Sequence, residues 1–196
     1  YYDQIQAGLD TDKTVMDEIW DQYPRMTQTQ VRMERVRAAL HAFAATQGRL
    51  PCPSDGALDE GLAVPPTAVD DCTNRDGTVP WVSLGLQAED ALDGWGHKIS
   101  YRVPDSFVQV DSVKSSNSST AGLKVKDYLV DRYKLAWVLI SHGASGLGAW
   151  RVFLPQMALP GAGGNEWDNT QAAPVKFFRR GEALVDPATG VEYALN

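Results

Sequence analysis

Apolar side chains recur every three or four positions between Thr14 and Gln47, at Met16, Ile19, Trp20, Tyr23, Met26, Met33, Val36, Leu40 and Phe43. That spacing lines one face of an α-helix of about 3.6 residues per turn. Thr14, followed three positions later by Asp17, predicts the start, because each side chain accepts from the other residue's amide. Pro24 interrupts the stripe. It lacks an amide donor and crowds the preceding turn, which predicts a kink or a break, with a short helix before it and a longer one over residues 25–47. At about 1.5 Å per residue the second helix spans roughly 35 Å. Gly48 is the expected C-cap, with Arg49 beside it and Pro51 blocking continuation.

Beyond Gly48 the helical period is lost. Residues 51–92 are rich in Pro, Gly and Asp and predict a long structured loop, with a short helical turn within 84–92. Alternation of Ile99, Tyr101 and Val103 predicts a strand over residues 98–103, and apolar runs predict others at 133–141 and 150–154. Two more are expected at 175–179 and 191–195, around a turn at 186–190, while the serine tract 114–120 reads as a mobile surface loop. With no helical crossover between neighbouring strands, antiparallel pairing is expected. The fold class is α+β: a long N-terminal helix, kinked or broken near Pro24, packed on an antiparallel sheet. We expect one domain, with a helical extension over 1–24, the main helix over 25–50, a structured loop region over 51–96, and the sheet with C-terminal loops over 97–196.

Charge narrows the choice of partner. The chain carries 25 acidic against 18 basic residues, net -7, which opposes non-specific attraction to nucleic acid or anionic lipid. Cys52 and Cys72 both lie in turn-rich sequence, where a disulfide is the natural reading. Closing a loop of roughly 20 residues stabilises a fold by about 3 kcal/mol and requires an oxidising compartment. Two unrelated buried thiols are the alternative. His41, His97 and His142 complete no zinc spacing with them. No membrane-length apolar run or signal peptide is present, and the chain opens on Tyr1; processing of a leader and trimming of a longer chain both account for that.

Several short segments resemble one family. Residues 35–43 with Gly48, Leu50 and Pro51, then Asp93-Gly94-Trp95-Gly96 with Ile99 and Tyr101, are similar to the helix end and the Asp-Pro-Trp-Gly strand of type IV pilin-like proteins, the minor pilins and type II secretion pseudopilins. Gly94 stands where that pattern has proline. Ile140-Ser141-His142-Gly143 and Glu166-Trp167-Asp168-Asn169 resemble members with larger heads, so the likeness covers most of residues 35–169. It implies a soluble head whose hydrophobic membrane anchor, with a methylated N-terminus, is missing. It also implies a non-catalytic, minor subunit of a type IV pilus, a secretion pseudopilus or a DNA-uptake filament. Its partners would be other pilin or pseudopilin subunits and, through the anchor, the bacterial inner membrane. The head would lie in the periplasm or on an extracellular fibre, with no direct nucleic-acid binding. The filament-packing face would be Met16, Ile19, Trp20 and Tyr23, a stripe too apolar to be left in water unless it packs on the protein's own sheet.

Independently of that likeness, Asp93, Gly94 and Gly96 suit a tight turn feeding a strand, with Trp95 folded back into the core to lock it. Catalytic motifs fail on inspection. Ser141 and His142 precede the glycine-rich stretch 143–148, but a nucleophile elbow built on Ser145 needs glycine where Leu147 stands. A dinucleotide loop needs glycine where Arg151 stands, followed by a helix rather than the expected strand. A periplasmic binding or hydrolytic domain using Ser141 and His142 is the alternative reading. No cofactor is required, and calcium is the one candidate ligand, because hard cations take loop oxygens. The acidic loop 70–77 departs from an EF-hand at Cys72 and Ser83. The resemblance favours the later loop, with Glu166, Asp168 or Asn169 as ligands.

Overall fold

The computed structural model describes residues 14–67, 72–113, 123–127, 130–161, 165–170, 177–179, 182–185 and 192–195. Helix α1 runs unbroken over Val15–Gln47, 33 residues or about 50 Å. Its start is the expected capping box: Asp17 N donates to Thr14 Oγ1 at 3.2 Å, and Thr14 N donates to Asp17 Oδ2 at 3.3 Å. Its end is Gly48, whose φ of 68° lies in the left-handed region that glycine adopts freely, and whose amide donates to Ala44 O.

Pro24 does not break the helix, contrary to the expectation of two segments. The amide it lacks would have bonded the carbonyl of Trp20, and both residues lie on exposed helix, where a carbonyl is accessible to solvent and its loss of a partner costs little. The capped turns before it and the packed turns after it hold the backbone on either side.

Among the described residues three sheets stand where a single one was expected. Strands β1 (Asp76–Thr78), β2 (Ser100–Arg102) and β5 (Val138–Ile140) form an antiparallel sheet in the order β1-β2-β5. Ile99, Tyr101 and Val103 alternate into the core as the sequence predicts, beside Val36 and Leu40 of α1 and Leu50, Cys52, Val79 and Val108. The predicted run 133–141 is two strands in different sheets: β4 (Val130–Leu135) and β5, with the half-buried Ala136 and Trp137 marking the passage between them. β3 (Leu123–Asp127) is antiparallel to β4 but parallel to β6 (Phe177–Arg179). Antiparallel pairing therefore fails at this ladder, where some fifty residues of connection allow the chain to return in the same direction. β7 (Glu182–Val185) and β8 (Glu192–Leu195) pair antiparallel. The expected turn 186–190 and the serine tract 114–120 lie outside the described residues.

The disulfide is formed between Cys52 and Cys72, Cα–Cα 5.5 Å. β1 lies within the stretch 51–92 expected to be loop; it forms by pairing with β2 across Asp76–Arg102 and Thr78–Ser100, and Ser54, next to the crosslink, exchanges backbone hydrogen bonds with Thr78 at 2.9 and 3.0 Å. A 3-10 turn at Ala88–Ala91 fulfils the expected helical turn. The predicted strand 150–154 is instead a tight turn closed by an Arg151–Leu154 bridge. Among the described residues no helix is long and apolar enough to cross a membrane.

Candidate functional site

The helix meets the head through a hydrogen-bonded turn as well as through apolar packing. Asp93 is fully buried. Its Oδ1 accepts from the amides of Trp95 (3.0 Å) and His97 (2.9 Å), and its Oδ2 accepts from Ser141 Oγ (2.9 Å), with His97 Nδ1 at 3.5 Å. Burial works to raise the Asp93 carboxyl; the donors from His97 and Ser141 outweigh it and hold the group below the usual carboxylate range.

The neighbouring Gly94 explains its own identity. Its amide donates to Thr29 Oγ1 at 2.8 Å, and a Cβ there would stand 2.1 Å from the carbonyl oxygen of Arg25. A proline, usual in the resembling pattern, would lose that amide and collide with the helix. Arg32 donates to the carbonyls of Asp93 (2.9 Å) and Leu92 (3.3 Å), and Arg35 pairs with Asp90 at 2.9 Å. Trp95 does not enter the core as expected: it lies half-buried and donates its indole N–H to Gln22 Oε1 at 2.8 Å, because the turn faces the flank of α1.

These contacts fix which side of α1 faces the head. Gln22, Thr29, Met33, Val36, Leu40 and Ala44 turn inward. Met16, Trp20 and Tyr23 lie roughly 100–160° around the axis from Gln22, since each residue advances about 100°. They are 59%, 68% and 65% exposed. Further along the same outward side, Gln30, Val31, Glu34, Arg35 and Ala38 line a shallow open groove. The single stripe expected from the sequence is thus two, and among the described residues Met16, Trp20 and Tyr23 stand exposed rather than packed on the sheet. The side chain of Ile19 lies outside those described.

The remaining candidates are separated. Ser141 and His142 do not face each other: Ser141 is held by Asp93, while His142 Nε2 meets Ser100 Oγ at 2.9 Å and Nδ1 meets the carbonyl of Leu147 at 2.9 Å. Donation from Nδ1 to that carbonyl leaves Nε2 to accept the Ser100 hydroxyl proton. Ser100 escaped sequence reading because it is 42 residues from His142 and is brought there by the β2–β5 pairing. Its outward position in the alternation of residues 99–103 was the available signal.

Of the acidic loop 70–77, Asp76 is spent on Arg102; burial pushes its carboxyl up against the pull of that guanidinium. The later loop is a short helix, α2 (Asn165–Thr170). It carries Asn169 half-buried, and the side chains of Glu166 and Asp168 lie outside those described. No cluster of three His, Cys, Asp or Glu suited to a metal occurs among the described residues. His41 sits on the helix flank, edge-on to Trp137 at 6.0 Å. Comparison of the chain with protein-family models, with curated proteins and with solved structures returns no match.

Proposed function

We propose that the chain is the head of a pilin-like, non-catalytic assembly subunit: a minor component of a type IV pilus, a type II secretion pseudopilus or a DNA-uptake filament. Its head would lie in the periplasm or on the fibre, with calcium on the α2 segment as an optional ligand. One observation carries this reading. Met16, Trp20 and Tyr23 stand exposed on the early turns of a 33-residue helix whose described contacts with the head begin at Gln22. Water-exposed aromatic area of this kind is stabilised by a neighbouring molecule, and helices that present such a side pack with other helices. The Asp93 turn supports the same reading, because it secures the helix without consuming its outer side. Against a hydrolytic centre stands the geometry of Ser141, whose hydroxyl is donated to a buried carboxylate rather than to His142.

Trp20→Asp tests the assignment. Sedimentation velocity over a wide concentration range should show the parent chain associating and the variant weakened by a factor of roughly 30 or more, the cost of losing a tryptophan hot spot. Unchanged association, with circular dichroism confirming an intact helix, would refute the assignment.

A further inference from the structure

The hydrogen-bond ladder of α1 is interrupted once and shared twice within residues 20–29. Pro24 has no amide to offer the carbonyl of Trp20. Thr27 Oγ1 donates to the carbonyl of Tyr23 at 3.1 Å, and Thr29 Oγ1 donates to that of Arg25 at 2.8 Å. Hydroxyls that bond back to the fourth residue before them compete with the ladder and bend helices. From this stretch onward Thr29, Val36 and Leu40 are buried against the head. Before it, every position of 14–25 whose side chain is described is exposed, apart from the half-buried Gln22. The head touches the junction itself: the Gly94 turn stands against the backbone of Arg25, and Thr29 Oγ1 accepts the Gly94 amide at 2.8 Å.

We infer that residues 15–24 are a hinged arm, which opens as one unit about Pro24 while the rest of α1 stays on the head. An isolated helix shorter than about 12–15 residues is marginal in water, so the arm keeps its form through the junction and through contact with the head. One such contact is the indole N–H of Trp95, which donates to Gln22 Oε1 at 2.8 Å and acts as the latch. The capping box at Thr14 closes the far end, so the arm is a cooperative segment rather than a fraying terminus. Met16, Trp20 and Tyr23 ride on the arm, and the latch therefore governs where they point. That consequence deepens the assembly reading and rests on it; the opening itself does not.

Amide hydrogen exchange of the full chain, followed by NMR at a dilution where it is monomeric, tests the opening. Residues 18–23 should exchange roughly 30-fold or more faster than residues 33–44, with a step at Pro24. Gln22→Met releases the latch with little change in helix propensity. It should speed exchange of 18–23 by roughly threefold to tenfold, the loss of one hydrogen bond, and leave 33–44 unchanged. Pro24→Ala restores the ladder and should slow exchange of 18–23 by about tenfold or more. A smooth gradient from Thr14 with no step, equal protection along the whole helix, or an exchange rate of 18–23 that neither substitution moves would each overturn the inference. All of this is read on the monomer, so the assembly reading is judged separately on Trp20→Asp.

Discussion

Two residues decide how firmly the helix sits on the head. Gly94 has no room for a side chain, so Gly94→Ala must separate the turn from Arg25 or distort it. Urea denaturation should show a loss of about 1–3 kcal/mol, the usual cost of overpacking. Asp93 acts through charge as well as shape. Its carboxyl is held below the ordinary range in the fold, so its contribution is fully present above the unfolded value of about 3.9 and is lost as pH falls through the lower folded value. Asp93→Asn should therefore cost about 1–3 kcal/mol at neutral pH, and the deficit should narrow in acid below about pH 4. Denaturation midpoints of both proteins across that range check the sign. A variant equally destabilised at every pH would show that only the shape of Asp93 matters.

At the scale of elements, Pro24 lets the continuity of α1 be tested. The helix tolerates it on an exposed stretch, so Pro24→Ala restores one amide and removes an interior penalty of about 3 kcal/mol. Far-ultraviolet dichroism should show greater helicity and less thermal fraying of the early turns. The global midpoint should move little, because the buried positions of α1 begin at Thr29. What the sequence disclosed follows the same division. Capping at Thr14 and Gly48, the 3-10 turn and the alternation of Ile99, Tyr101 and Val103 are local signals, and the crosslink follows from cysteine spacing in turn-rich sequence. The partition of residues 130–140 between two sheets and the parallel pairing of β3 with β6 depend on distant partners and leave no local trace. The outward stripe was legible as apolar. Its side of the helix was not, because spacings of three or four fit two registers, and only Thr29, Val36 and Leu40 show which one the head occupies. The Asp93 network was half legible: Asp-Gly-Trp-Gly announces a turn, but Ser141 lies 48 residues away.

For the whole molecule, a helix of about 50 Å is fastened from Gln22 onward to a head crosslinked by a disulfide, and Met16, Trp20 and Tyr23 on its early turns stand exposed. The proposed assembly rests on those side chains meeting a neighbouring molecule. The most direct test is to place a photo-crosslinking phenylalanine analogue at position 20 in the protein in its native cells and to map its adducts by mass spectrometry. The account predicts crosslinks to the helix of a neighbouring subunit, lost when assembly is blocked. Adducts confined to the same chain, or the absence of any protein neighbour while the protein is folded and abundant, would contradict it.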